Sequence, residues 1–298
     1  MNFTKFFLLL VLSMVLTNCG PKADLKESDS TPAPTTPTTQ TPEVEPQEPE
    51  PVDPLLHADL LAMQWNEAHK YSPARLKEMN EKAIDQVYAL PVQAQTPHPQ
   101  GRYRLPAIDP VNAQKIIESM NIHPVVAYSQ NEKYDRETTE IGYCFGRATY
   151  AHLVLLKMGI MKESIRKVWL VGPMSAGGTN WAFHVATIVR TTNGKWMVID
   201  NYANILMELR EWVYYFYPQN KGYDNLRVYI TTPSKFSVNM AKYDRVQLGL
   251  NLSAVDDWYR HYFVDLMNWF KDHDISEVGL RDLRKDPKDE KNQDQDKK

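Results

Sequence analysis

Between Gly20 and Pro54 the chain has no Trp, Tyr, Phe, Ile or Met, whereas all seven Trp and all sixteen Tyr follow Leu55. A stretch so poor in apolar side chains cannot bury enough surface to offset the entropy of ordering it. Folding is therefore confined to roughly Leu55–Leu280, long enough for one large domain or two small ones. The excluded stretch is rich in Pro, Thr and Glu, as in Thr35-Thr36-Pro37-Thr38-Thr39, which favours an extended tether. At ~3.1 Å per residue it reaches at most roughly 110 Å. From about Arg281 to Lys298 the chain is charged and lacks aromatics, so a disordered tail is expected there.

The N-terminus reads as an export signal: Lys5, then an apolar run from Phe6 to Leu16 that is too short to span a bilayer. Leu16-Thr17-Asn18-Cys19 resembles the lipobox of bacterial lipoproteins, which implies that Cys19 becomes a lipidated first residue. Gly20 in place of Asp implies outer-membrane sorting, on either the periplasmic or the surface face of the cell envelope. The expected organisation is a signal peptide (1–18), a lipidated tether (19–54), a helical subdomain or cover segment (55–135), a core (136–280) and the tail (281–298). A net charge of −3 gives no sign of a nucleic-acid partner, and a monomer is expected.

Within the folded part, Leu56, Leu60, Leu61 and Trp65 have helical spacing, predicting a helix to about His69. Ser72-Pro73 predicts a capped helix to about Tyr88, and Asp109-Pro110 another through Met120. Ala148, Ala151 and Leu155 mark a buried helix from Gly146 to Met158, ended by Gly159. Strands are predicted at Lys167–Val171, stopped by Gly172-Pro173, and at Trp181–Arg190, Lys195–Asp200 and Leu226–Thr231. Ser253 and Asp256 predict a capped helix running to about Lys271, whose Trp258, Phe263, Met267 and Phe270 read as core. Helices followed by an antiparallel sheet define an α+β fold.

Cys19 being assigned to a lipid, Cys144 has no partner for a disulfide. An exported protein tends to pair its thiols, and a lone one most often serves as a nucleophile. Cys144 stands just ahead of the predicted helix, whose N-terminal dipole lowers a thiol pKa, as does a nearby imidazolium. The plain alternative is a small buried hydrophobe. His184, on the Trp181–Arg190 strand, is the candidate base that takes the thiol proton and then protonates the leaving amine or ammonia.

The third member depends on register. If Asn193-Gly194 forms a two-residue turn, Thr192 pairs with Lys195 and Asn201 shares the face of His184. If the turn has three residues with a bulge, Thr191 pairs with Lys195 and Asp200 lies opposite Ala186, diagonal to His184. Both are common for Asn-Gly, so Asp200 is the first candidate and Asn201 the runner-up. His152 reads as a packing or surface residue, and Gly177-Gly178-Thr179, lacking a P-loop Lys, as a flexible connector. No His, Cys, Asp and Glu spacing suits a metal.

Together, Cys144-Phe145-Gly146-Arg147-Ala148, Trp181-Ala182-Phe183-His184-Val185-Ala186, Val198-Ile199-Asp200 and Glu211-Trp212 resemble the protein-glutaminase family, bacterial enzymes that deamidate protein glutamines. The resemblance covers roughly Glu140–Tyr217. It implies a papain- and transglutaminase-like fold, with the nucleophile at a helix N-terminus packed on an antiparallel sheet that carries His and Asp. It assigns Cys144, His184 and Asp200 as catalytic and implies no cofactor. The implied substrate is a protein or peptide with accessible glutamine. One departure is Asn201, where the family has Pro. Tyr143 and Trp181 are candidate walls of the substrate pocket. The rival readings are a transglutaminase-like acyltransferase, a cysteine peptidase, or a non-catalytic lipoprotein binding module with an inert thiol.

Overall fold

The structure, a computed structural model, describes residues 71–95, 103–134, 143–177, 179–220, 224–234 and 261–285. The chain divides into two units, Met1–Glu48 and Pro49–Lys298, and every described residue belongs to the second. Cys19, the helix expected from Leu56 and the Ser253 cap lie outside the described residues.

Helix α1 (Pro73–Tyr88) starts where the sequence dictates. The Ser72 side chain accepts from the Arg75 N–H, and Pro73 supplies a preset φ at the first position. Such a cap contributes about 1 kcal/mol. Helix α2 (Pro110–Ile122) repeats the device with Asp109. A single turn, α3 (Asn131–Tyr134), precedes α4 (Cys144–Lys157), after which Gly159 adopts a φ of +95° that few other residues tolerate.

The sheet is antiparallel throughout: β1 (Ile165–Ala176), β2 (Thr179–Arg190), β3 (Trp196–Ile199), β4 (Met207–Glu208) and β5 (Arg227–Thr231), in the order β4-β3-β2-β1-β5. Helix α5 (Leu209–Phe216) follows β4, and α6 (Tyr262–Asp272) follows β5. The molecule is thus α+β with an antiparallel sheet. Alternation sorts the strand side chains into two cores. Trp169, Val185, Val189 and Ile199 pack with α2, α4 and α6, whereas Leu170, Ala186, Ile188 and Val198 pack with α1 and α5.

Four expectations change. Gly172-Pro173 does not stop β1; the register shifts between Val171 and Met174 and the strand continues to Ala176. A bulge tolerates the missing proline N–H, and a Cβ on Gly172 would lie 2.8 Å from the Asn225 carbonyl oxygen. Ala176 pairs with Thr179, so β1 and β2 are joined by a tight hairpin rather than a loose connector, and Thr179 belongs to β2. Helix α6 begins at Tyr262, because His261, at φ +68°, is not in helical conformation. Residues 281–285, expected in the tail, are held by the Leu283 N–H, which donates to the Met158 carbonyl at 3.0 Å and satisfies the end of α4.

Candidate active site

Strand β3 is shorter than β2, and the site forms where it ends. Thr187 pairs with Ile199 as the last rung, so β2 from Ala186 back toward Thr179 has no β3 partner on that edge. The N-terminus of α4 fills the opening. The Val185 backbone N–H donates to the Cys144 sulfur, and the His184 side chain is hydrogen-bonded to it as well.

The β2–β3 turn sets the third residue. Arg190 pairs with Trp196, and the Thr191 N–H donates to the Lys195 carbonyl at 2.9 Å. Gly194 closes the turn in the left-handed region at φ +82°, so the loop has the three-residue bulged form. Asp200 therefore follows directly after the last rung, Thr187–Ile199, on the side of the turn that leads to His184. Its Oδ2 accepts from His184 Nε2 at 2.7 Å and from Trp212 Nε1 at 2.9 Å, and its Oδ1 from the Tyr202 N–H at 3.1 Å. With Nε2 committed to Asp200, Nδ1 is the imidazole nitrogen left for the thiol. Asn201 takes another path, donating from Nδ2 to Asn121 Oδ1 on α2 at 3.2 Å.

Burial makes these contacts matter: Cys144 is 8%, His184 5% and Asp200 4% exposed. Burial pushes the Cys144 thiol up, but the hydrogen bond and charge of His184, the Arg147 charge and the Val185 N–H outweigh it and leave the pKa below the ordinary thiol value. Burial pulls His184 down, yet the Asp200 charge and hydrogen bond, with Cys144, raise it to about 9. Burial raises Asp200, and the charge and bond of His184, the Trp212 N–H and the Tyr202 N–H bring it below the ordinary carboxylate value. The three shifts run in one direction, toward a thiolate and an imidazolium held beside a carboxylate.

Helix α5 builds the wall behind His184. The Glu208 and Glu211 side chains form a capping box at its start, and Glu208 also accepts from Tyr88 Oη and Lys195 Nζ. Trp212 and Phe216, one turn apart, both face the imidazole, with ring centroids 5.7 and 4.7 Å away; Tyr202 closes a third side at 5.7 Å. Sequence reasoning noted Trp212 only within a motif and missed Tyr202 and Phe216. The signal was the one-turn spacing of Trp212 and Phe216 behind a Glu-x-x-Glu cap.

The other candidates sit apart from this contact. Tyr143 is the N-cap of α4 at a strained φ of +32°, with its buried ring stacked on Tyr262. It fixes the helix start more directly than it offers a surface. Trp181 is partly buried, its ring centroid 6.5 Å from that of Tyr202. His152 is buried within α4, where burial and the charge of Lys167 hold its pKa well down. Among the described residues no group of His, Cys, Asp and Glu is arranged to hold a metal ion, and no helix is long and apolar enough to cross a membrane.

No protein-family model matches the chain, and no curated protein matches it. Among solved structures, a mutant of pro-protein-glutaminase aligns with 50% of this chain at 18% identity and a TM-score of 0.36. The aligned part spans 58% of that protein's chain. A likeness at this level does not establish a shared fold.

Proposed function

We propose that this protein is a thiol hydrolase that deamidates glutamine side chains in proteins or peptides through a thioester on Cys144. The observation that carries this is the buried chain of contacts from Cys144 through His184 to Asp200, in which the thiol pKa is lowered and the imidazole pKa raised. A structural cysteine buried among apolar groups is instead driven toward the neutral thiol. The motif resemblance around Cys144, His184 and Asp200 supports the choice of a glutamine substrate.

In the proposed cycle the Cys144 thiolate adds to the carboxamide carbon and the C=O electron pair moves to oxygen. When the tetrahedral intermediate collapses, the His184 imidazolium gives its proton to the nitrogen, the C–N bond breaks and ammonia leaves. Neutral His184 then takes a proton from water as its oxygen adds to the thioester. The C–S bond breaks, the thiolate is restored beside imidazolium, and the acid product is released. Asp200 keeps the imidazole oriented and stabilises its charged form. The slight exposure of Cys144 and His184 suits a slender side-chain amide better than a main-chain amide flanked by residues.

We also propose that Cys19 carries a lipid and that residues 19–54 tether the enzyme to the cell envelope, which metabolic labelling with a fatty acid and its loss in Cys19→Ala tests. The experiment for the reaction is mass spectrometry of a glutamine-rich protein after incubation, with and without a primary amine. Conversion of glutamine to glutamate with an intact backbone and no amine adduct supports hydrolysis. Adducts indicate an acyltransferase, and cleavage a peptidase.

A further inference from the structure

A thiol amidohydrolase must stabilise the oxygen that becomes negative when sulfur adds to the carbonyl, and one backbone N–H alone does this weakly. The Cys144 N–H, in the first turn of α4, is the first candidate donor. Among the described residues no side chain caps α4, and the Arg147 N–H donates to the Tyr143 carbonyl at 3.0 Å. A second donor must lie near Cys144, carry a hydrogen, face solvent and be uncommitted.

The groups coupled electrostatically or by hydrogen bond to Cys144 include Arg147, Lys167, His184, Val185, Tyr128 and Tyr262. His184 moves the proton, and the Val185 N–H already holds the sulfur. Lys167 is fully buried, its Nζ 4.4 Å from the centre of the Phe145 ring. Tyr262 is buried and stacked on Tyr143. Arg147 is buried as well, its guanidinium 4.1 Å from the Tyr128 ring centre.

Tyr128 differs on every count. It is 40% exposed, and its hydroxyl is uncommitted among the described residues. It stands at the start of the short turn Tyr128–Gln130, and its ring is pinned by the cation–π contact to Arg147, the residue one helical turn after Cys144. Burial of the ring pushes the phenol pKa up, the Arg147 charge opposes this, and Asp200, Cys144 and Tyr202 add to the rise. The group is therefore a neutral O–H at working pH, on a ring held against the side chain one turn after Cys144.

We propose that the Tyr128 hydroxyl is the second oxyanion donor, hydrogen-bonding the carboxamide oxygen as the Cys144 sulfur adds to the carbon. The role rests on the deamidase reading above. Tyr128 transfers no proton; its O–H bond stays intact while the oxygen gains and then returns its charge.

The test uses Tyr128→Phe in the full chain, because Phe keeps the ring over Arg147 and deletes only the hydroxyl. Two readouts are needed: ammonia release from a glutamine-rich protein, and alkylation of Cys144 by iodoacetamide, which requires the thiolate but no oxyanion site. The expected result is a fall of about 100-fold in kcat with KM and alkylation within about twofold of the unmodified chain. Unchanged kcat overturns the proposal, as does parallel loss of alkylation, which would make Tyr128 a support for the thiolate. If the unmodified chain alkylates rapidly but releases no ammonia, the deamidase reading fails and the oxyanion role fails with it.

Discussion

Thr191 pairs with Lys195 across the β2–β3 turn, and this choice of register places Asp200 rather than Asn201 beside His184. A two-residue turn on the same Asn193-Gly194 pair would have reversed the two. The single-residue difference can be read directly in mutants. Asp200→Ala is expected to lower kcat by about 10³–10⁴-fold, the scale seen when a triad carboxylate is neutralised. Asn201→Ala breaks the bond to Asn121 and is expected to cost about 1 kcal/mol of stability while leaving most of the activity. Steady-state kinetics beside urea denaturation of the two variants checks the pair.

The pH dependence follows from the directions of the shifts. The Cys144 pKa is lowered, so the thiolate is present from below the ordinary thiol value of about 8.5 upward. The His184 pKa is raised to about 9, so the imidazolium is present below that value and lost above it. Activity needs both, which sets a window from the depressed thiol pKa to about pH 9, with kcat/KM falling as pH rises through about 9. Alkylation of Cys144 should remain fast at neutral pH and slow sharply there in His184→Ala, because burial then acts on the thiol with its main opponent removed. The pH profile of iodoacetamide inactivation for the two proteins checks this.

Trp212 contributes a hydrogen as well as a ring. It shares Asp200 Oδ2 with His184, and so helps keep the carboxylate ionised and the proton on the imidazole. Trp212→Phe preserves the packing on His184 and Phe216 but removes this donor. A hydrogen bond to a charged group is worth about 1.5–3 kcal/mol, and about 1.4 kcal/mol is one pH unit. The Asp200 pKa is expected to rise by about one unit with KM unchanged, read by following its carboxyl carbon by NMR across a pH titration. A variant that only loosened packing would leave the Asp200 pKa in place.

Gly146 sets local propensity against close packing. Alanine is favoured over glycine in a helix by about 1 kcal/mol. A Cβ here, however, would lie 2.4 Å from Tyr262 Cε1, and overpacking of this kind typically costs about 1–3 kcal/mol. Because Tyr262 is buried and stacked on Tyr143, it has little room to yield, so sterics should win. Gly146→Ala is expected to be net destabilising by up to about 2 kcal/mol, read as a lower urea midpoint.

Local chemistry made much of the frame legible in the sequence. Ser72-Pro73 and Asp109-Pro110 announce α1 and α2 because caps act within one turn, and the alternation around His184 announces β2. The β2–β3 register was open because two turn geometries suit Asn-Gly equally well, and only the packed sheet selects one. Continuation of β1 past Gly172-Pro173 was illegible, since the bulge depends on the approach of Asn225 from a distant segment. Tyr202, Phe216 and Tyr128 escaped for the same reason: they reach the site through tertiary packing, which no short motif encodes.

The most direct measurement is ammonia release from a glutamine-rich protein by the full chain and by its Cys144→Ala variant, at pH 7 in parallel. The account predicts release by the unmodified chain, matched by conversion of glutamine to glutamate, and none above background from the variant. Release that persists in Cys144→Ala, or none from either protein, would contradict it.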